Sequence, residues 1–271
     1  AGRVDHLGRP AVSTTWDAAT AAAVEVGDGV AALRAPLADL IAADRMAAQV
    51  QADLYAHTTL GARLRAAYPG VPIVSEEDAF HAEDRPADYW LIDPIDGTAS
   101  WSSGFPGFVC QLARIVDGSV VFSVIHAPVL GATWTAARGD GAYLDGELLP
   151  ARRPAPSAGV VVIDNYPEPR GVCDQVMQWL GTDAYVESGS IGLKAALVAT
   201  GRADLFVKDV VVRDWDVAPA LAIAHEVGAF VSGADGREFP LTGPYEKPDG
   251  LIVAADPTLG SRIASWLAQA T

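Results

Sequence analysis

The residues best suited to chemistry in this chain lie in one short run, Asp93-Pro94-Ile95-Asp96-Gly97-Thr98. The run follows an apolar segment, Tyr89-Trp90-Leu91-Ile92, that has the pattern of a buried strand. Pro94 stiffens the loop and removes a backbone donor. Two carboxylates this close together repel each other unless a cation lies between them. The run therefore predicts a site for a hard cation such as magnesium, which prefers oxygen ligands.

Each residue of this run has an expected role. A two-metal site needs a carboxylate that bridges ions about 3.5–4 Å apart, and Asp93 is the natural bridge. The carbonyl of Ile95 can act as a neutral ligand beside Asp96. Gly97 and Thr98 are expected to open a helix, whose unpaired N–H groups bind phosphate, and the Thr98 hydroxyl can orient a water. A simple Asp-Gly turn is the competing interpretation, which the complete run disfavours.

Two distant acidic clusters could complete such a site. Glu76-Glu77 follows a short predicted strand, Pro72-Ile73-Val74, and carboxyl ends of strands are where ligands bind in layered sheets. Asp214-Trp215-Asp216 begins an apolar helix. The competing interpretations are a solvated loop for the first cluster and helix capping for the second. One of the two aspartates could cap the helix while the other binds metal, and Trp215 is expected to pack.

The elements that must position these clusters alternate between helices and strands. Helices are predicted over 15–34, 44–67, 171–180, 190–200 and 214–227 and after Pro257, and a meander of antiparallel strands over 108–137. This alternation favours an α+β or α/β fold of layered sheets covered by helices. The segment Arg152 to Pro156 marks the boundary between an N-terminal half, 1–153, and a C-terminal half, 154–271. Both halves are expected to complete one site in one compact unit.

Composition limits the partners of the chain. Its 271 residues are half hydrophobic, and its net charge of -15 opposes binding to nucleic acid polymers or anionic membranes. A small anionic substrate is compatible with this charge, because bound divalent cations reverse its sign locally. The two cysteines form no disulfide framework, and neither a signal peptide nor a membrane span is apparent. The expected location is cytoplasmic.

Several segments together resemble the inositol monophosphatase family, a superfamily of magnesium-dependent, lithium-sensitive phosphatases. They are Trp90 to Thr98, Ser75-Glu76-Glu77, Trp215 to Ala218, Arg138 to Tyr143 and Ala199 to Asp204. The resemblance extends from about residue 10 to the end of the chain. It implies a layered αβαβα sandwich. Its motifs are specific for the superfamily and say little about the substrate.

The resemblance also implies a role for individual residues. The ligands of two or three magnesium ions would be Glu76, Asp93, the Ile95 carbonyl, Asp96 and Asp216. Water would be activated by Asp44, Thr98 and Glu76. Phosphate would be bound by Gly97, Thr98 and Ser100, and the rest of the substrate by Ser190, Lys194 and Asp209. Dimers are common in the family, and only the resemblance suggests a homodimer here.

Two positions depart from the family pattern. The family commonly has a threonine within Val-Thr-x-x-Asp, whereas the segment Asp39 to Asp44 has no hydroxyl. Lys194, one of only three lysines, is unusual for an inositol phosphatase, and a similar Ser-x-x-Leu-Lys pattern occurs in the nucleotide 3'-phosphatase branch. A helix lysine that extends its ammonium group to solvent is the competing interpretation of Lys194.

The expected activity is hydrolysis of a small polyol or sugar phosphate, such as an inositol monophosphate, by metal-activated water. A nucleotide 3'-phosphatase is the first alternative, and a non-catalytic metal- or phosphate-binding regulator is the second. A serine hydrolase is a third, since Ser188-Gly189-Ser190-Ile191-Gly192 resembles a nucleophile elbow. Its first position is serine in place of glycine, and the available base, His225, falls within a helix.

Overall fold

The helices form mainly in segments where hydrophobic residues recur at helical spacing. The computed structural model describes residues 14–34, 42–81, 85–151 and 159–270. Within these residues the helices are α1 Asp17–Arg34, α2 Ala42–Ala67, α3 Thr98–Ser103, α4 Gly171–Leu180, α5 Ile191–Ala199, α6 Asp214–Val227 and α7 Pro257–Ala270. A 3-10 turn, Thr14–Trp16, precedes α1. No helix in the described part of the chain is long and apolar enough to cross a membrane.

The strands divide between two large sheets and one small sheet. In chain order they are β1 Ile73–Ser75, β2 Asp88–Asp96, β3 Val109–Val116, β4 Ser119–Ala127, β5 Ala132–Ala137, β6 Gly141–Leu144, β7 Glu147–Leu148, β8 Val162–Asp164, β9 Tyr185–Glu187, β10 Leu205–Lys208, β11 Val212–Arg213, β12 Phe230–Ser232, β13 Glu246–Lys247 and β14 Leu251–Ala254. The first large sheet has the order β1 to β7, with β1 parallel to β2 and the rest antiparallel. The second has the order β12-β14-β10-β8-β9, and β11 pairs with β13 separately.

Five layers result from the packing of helices on these sheets. Helices α1 and α2 pack on one face of the first sheet, and α5 and α6 pack between the two large sheets. Helices α4 and α7 cover the outer face of the second sheet. Three hydrophobic cores lie between the layers. The first lies between α1, α2 and the first sheet, the second surrounds α5 and α6 between the two large sheets, and the third lies between the second sheet and α4 and α7. The predicted αβαβα sandwich is therefore confirmed.

Most predicted elements occur where the periodicity placed them. Helices α4 and α6 have the predicted bounds, and α5 lacks only one predicted residue at each end. The short strands β9, β11 and β13 were not predicted individually, because two or three residues carry too little periodicity. The predicted boundary between the halves falls in 152–158, outside the described residues. The first large sheet is formed within residues 73–148 and the second within 162–254.

Candidate metal and active site

Three aspartates from distant parts of the sequence converge at the edge of the first sheet. Asp93, Asp96 and Asp216 each offer a carboxylate oxygen, and these oxygens lie within 4.8 Å of one another. Asp93 and Asp96 are buried, and Asp216 is nearly so. The carboxyl group of Glu76 contacts Asp93 and lies close enough to Asp96 and Asp216 for electrostatic repulsion. The structure therefore brings together all four predicted carboxylate ligands.

Strand β2 places the first two aspartates. The strand continues past Ile92 to Asp96, beyond the predicted end, and its pairing with β3 becomes irregular between Asp93 and Asp96. The missing N–H of Pro94 accounts for this interruption, because proline cannot donate to the ladder. The Ile95 N–H donates to Asp93 Oδ1 over 3.1 Å. The irregularity turns both carboxylates to the same side, and the ligand role of the Ile95 carbonyl stays a prediction.

Strand β1 places Glu76 beside them. β1 runs parallel to β2, so that both strands end at the same edge of the sheet. The Glu76 N–H donates to the Ile92 carbonyl over 3.1 Å, which continues the pairing by one residue. The same register, continued by one position, places Glu76 beside Asp93.

The first turn of α6 supplies Asp216. Its Oδ2 accepts a hydrogen bond from the Arg213 N–H over 3.0 Å, so Asp216 itself helps to cap the helix. Asp214 has a different role, because it is fully buried between Arg85, at 2.5 Å, and Lys247, at 3.4 Å. Trp215 packs against aromatic neighbours, as expected. The expectation that one aspartate caps and the other binds is thus corrected: Asp216 caps and faces the cluster, and Asp214 anchors the helix.

The cluster has the electrostatics of a cation-binding site. Burial, followed by repulsion from its carboxylate neighbours, raises the pKa of Asp93 well above its usual range. Burial also raises the pKa of Glu76 and of Asp96, although hydrogen bonds partly offset the effect at both. For Asp216, burial and repulsion from Asp96 raise the pKa to about 8. All four groups therefore resist ionisation together unless a positive charge is added.

Orphaned carboxylate oxygens support the same interpretation. Oδ2 of Asp93 is buried and accepts no hydrogen bond from the described residues. The same holds for Oδ1 of Asp53 on α2. Buried carboxylate oxygens normally have donors or bind metals. A set of hard oxygen ligands at this spacing fits magnesium, which could be held by Glu76, Asp93, Asp96 and Asp216.

On α2, the carboxylate that lies beside the Glu76-Glu77 loop belongs to Asp53 and not to the predicted Asp44. Asp44 lies exposed in the first turn of α2. Burial, followed by repulsion from Glu77 and Glu76, raises the pKa of Asp53 to about 6, which places Asp53 beside that loop. Nine residues of helix separate the two aspartates by about 13.5 Å and 2.5 turns, on opposite sides of α2. Asp44 and Asp53 therefore cannot both face the site.

His57 lies one helical turn after Asp53 on the same face of α2, and it contacts the segment that carries Glu76. Its Nδ1 lies 2.9 Å from the hydroxyl of Ser75, the residue before Glu76. The sequence carries a signal for Asp53, because Asp53 and His57 are four residues apart and therefore share one face of a helix. The segment before Asp44 that lacks the family's threonine lies partly within residues 35–41, outside the described part of the chain.

The predicted phosphate cradle forms a tight turn into a helix. Gly97 has a φ of 93°, and α3 begins at Thr98 as expected. A Cβ on Gly97 would lie 3.0 Å from Ser190 Cβ and 3.1 Å from the Gly107 carbonyl, so only glycine fits here. Ser100 lies half-buried in the same short helix. Their contacts with phosphate stay predictions.

The predicted substrate residues lie in three different environments. Ser190 is buried and caps α5, where its hydroxyl accepts a hydrogen bond from Leu193 N–H and contacts Asp96. Lys194 is only 1% exposed, and its Nζ donates to the Gly189 carbonyl over 2.5 Å. Asp209 lies exposed just after β10. Ser190 and Lys194 thus lie buried near the carboxylate cluster, whereas Asp209 lies at the surface. Their contacts with a substrate stay predictions.

Lys194 does not extend to solvent, which corrects the competing interpretation. Burial, followed by repulsion from Lys208, lowers its pKa to about 8, while Asp164, Asp96 and Asp216 act in the opposite direction. The serine-hydrolase alternative also loses support. The Ser190 hydroxyl is engaged at the start of α5, and His225 is exposed near the end of α6.

We expect the metal-free protein to lose stability as pH rises from about 5 to about 8. The pKa of Asp216 in the folded state is about 8, and the other cluster carboxyls are raised as well. The folded state therefore holds protons that the unfolded chain, with carboxyl pKa values of about 4, has already released. Stability is greatest below this window and falls as the cluster ionises.

Thermal unfolding in chelator and in excess magnesium measures this effect. Magnesium should raise the unfolding temperature more at about pH 8 than at about pH 5, because only the ionised cluster binds it. An equal gain at both pH values would contradict the expected linkage. Calcium provides a second hard cation for comparison.

Comparisons with known proteins agree with this geometry. The model of the family described as "Inositol monophosphatase family" matches residues 15–271. A fructose-1,6-bisphosphatase/inositol-1-monophosphatase from Thermotoga maritima is 35% identical over 176 residues, which cover 65% of this chain and 67% of that protein. The 3'(2'),5'-bisphosphate nucleotidase CysQ of Salmonella typhimurium is 33% identical over 201 residues, or 70% of this chain and 78% of that protein.

Solved structures extend the likeness to nearly the whole fold. Inositol monophosphatase II from Staphylococcus aureus has a TM-score of 0.78 at 20% identity, and the match covers 93% of this chain and 95% of that one. The extragenic suppressor protein suhB from Bartonella henselae has a TM-score of 0.77 at 22% identity, with 94% and 100% covered. At these identities the structures support the layered fold alone.

Proposed function

Because the chain is a phosphatase of the inositol monophosphatase family, we propose that its carboxylate cluster performs magnesium-dependent hydrolysis of a small polyol or sugar phosphate. The observation that carries this proposal is the convergence of Asp93, Asp96 and Asp216 within 4.8 Å, with orphaned oxygens and raised pKa values around them. Magnesium, when bound, would neutralise phosphoryl charge and lower the pKa of a water.

The residues of the chain would bind and orient the reacting groups. Gly97 and Thr98 form the N-terminus of α3, where backbone N–H groups would bind phosphoryl oxygens. The carboxylates of Asp53 and Glu76 lie close enough to repel each other, and either would accept a proton from an attacking water that the Thr98 hydroxyl orients. The water attacks phosphorus in line while the ester P–O bond breaks, through a loose transition state and without a covalent enzyme intermediate, and the leaving alkoxide takes a proton from solvent.

The leaving group distinguishes two candidate substrates. A polyol or sugar phosphate is favoured by the similarity to the Thermotoga enzyme and by the exposed Asp209, whose carboxylate can accept hydrogen bonds from hydroxyls. A nucleoside phosphate with a second anionic group is favoured by the similarity to CysQ and by the cationic Lys194 beside the cluster. The S. aureus protein has been solved with inositol monophosphate and with 2'AMP, so one fold can receive both. A homodimer and the number of ions stay predictions of the resemblance.

Phosphate release from a substrate panel tests the proposal. We expect the purified chain to hydrolyse inositol 1-phosphate or fructose 1,6-bisphosphate faster than adenosine 3',5'-bisphosphate, and only in the presence of magnesium. The reverse order would favour the nucleotide alternative. Undiminished activity in excess chelator would contradict the metal mechanism. Metal binding without phosphate release from any substrate would favour a non-catalytic regulator.

A further inference from the structure

Gln111, in the middle of β3, is a polar residue that the activity described so far does not use. Its side chain is fully buried, one strand away from the cluster, and its backbone pairs with Asp93. Its Nε2 donates to Asp96 Oδ2 over 3.0 Å and to the Trp215 carbonyl over 3.0 Å. A single amide group therefore contacts both segments that carry cluster aspartates.

The Trp215 carbonyl needs this donor because of the sequence of α6. In an α-helix this carbonyl would accept from the N–H four residues later, which belongs to Pro219. Proline has no N–H, so the carbonyl has no helical donor. Gln111 supplies the missing hydrogen bond from outside the helix. Its attachment point is the residue directly before Asp216.

The orientation of the amide follows from its surroundings. The reverse orientation would place Oε1 against the Asp96 carboxylate and the Trp215 carbonyl, both of which are acceptors. In the observed orientation Oε1 is buried and has no hydrogen-bond partner in the described part of the chain. The fold therefore accepts an unsatisfied acceptor in order to direct both amide hydrogens to the cluster segments.

Gly192, at the start of α5, makes room for this arrangement. A Cβ there would lie 2.0 Å from Gln111 Oε1 and 3.1 Å from Asp96 Oδ2. The Gly192 N–H itself donates to Asp96 Oδ2 over 2.8 Å. Asp96 Oδ2 thus accepts hydrogen bonds from both Gln111 and Gly192, which fixes the orientation of this carboxylate.

We propose that Gln111 is a positioning residue that fixes the distance between Asp96 and Asp216 by joining Asp96 to the proline-vacated carbonyl of Trp215. The inference rests on the proposed function in one respect, because it takes the cluster to be the metal site. Removal of the amide should weaken metal binding, whereas the hydrophobic cores of the fold do not depend on it.

Calorimetric titration of chelator-treated protein with magnesium tests the role directly. Gln111→Leu should weaken magnesium binding about 10- to 100-fold, as loss of a group that orients a metal ligand usually does. The apparent KM for magnesium should rise by the same factor, and kcat at saturating magnesium should change much less. Ser123→Ala is the matched control, since it also removes a buried polar group, on the neighbouring strand β4, but one that has no hydrogen-bond partner among the described residues.

A second variant separates positioning from mere satisfaction of a carbonyl. Pro219→Ala restores a helical N–H for Trp215, so in the Gln111→Leu background it should recover any loss in the unfolding temperature but not the magnesium affinity. Recovery of both would show that Gln111 only satisfies the carbonyl, and would overturn the proposal. Unchanged affinity in Gln111→Leu would also overturn it while leaving the metal site intact. Absence of magnesium binding by the wild-type chain would remove the proposed metal site and this inference with it.

Discussion

Asp93→Asn is expected to lower magnesium-dependent phosphatase activity about 10³-fold or more, because the loss of a central ligand removes several kcal/mol of transition-state stabilisation. Asparagine keeps the shape of the side chain and removes its charge. Asp93 is buried among Glu76, Asp96 and Asp216, whose repulsion raises its pKa. The metal-free variant should therefore unfold at the same temperature as the wild type or at a higher one. Steady-state phosphate release and thermal unfolding in chelator measure the two effects.

Asp117→Asn is the matched control for this variant. Asp117 lies exposed in the turn between β3 and β4 with a φ of 48°, a conformation that asparagine also tolerates. The same chemical change there should leave activity and magnesium binding unaltered. Full activity of Asp93→Asn in the presence of magnesium would rule out the proposed mechanism.

Asp53→Asn is expected to lower kcat about 10²-fold or more, in the range of a lost general base. One oxygen of its carboxylate is buried and has no hydrogen-bond partner among the described residues, and burial and the Glu76-Glu77 loop raise its pKa to about 6. Bound magnesium would lower this pKa, so that Asp53 could accept a proton near neutral pH. Asp44→Asn, an identical change on the opposite side of α2, should leave kcat within about twofold, as exposed sites usually do.

The outcome of this pair decides which carboxylate of α2 belongs to the site. Loss of activity in Asp44→Asn with retention in Asp53→Asn would restore the assignment that the sequence favours. Loss in both would indicate that α2 itself is needed and that neither carboxylate acts specifically. The unfolding temperatures of both variants show whether a loss of activity has a structural cause.

The family, the layered fold and most of the cluster could be predicted from the sequence because their signals are local. The run from Asp93 to Thr98 specifies a turn, a helix start and two carboxylates within six residues. Hydrophobic periodicity predicted α4 and α6 with their observed bounds. The position of Glu76 followed from its place at the end of a strand, since strand ends share an edge.

The tertiary structure decided which residues complete the site. Asp44 and Asp53 have the same side chain on the same helix, and only the packing of α2 against the Ser75-Glu76 loop selects Asp53. The sequence showed Gln111 as one polar residue in an apolar strand. Its purpose depends on a proline 108 residues away, whose missing N–H exposes a carbonyl to that side chain.

Local sequence signals and long-range packing thus determined different features of this protein. By itself the sequence determined the reaction class, because the residues predicted to bind metal and phosphate lie in one short run, Asp93 to Thr98. The tertiary structure decided that Asp53 faces the Glu76-Glu77 loop, that Gln111 contacts both cluster segments and that Lys194 is buried, because these depend on which faces of separate elements meet. Helix rotation and strand register fix such meetings, and both result from the packing of the whole chain.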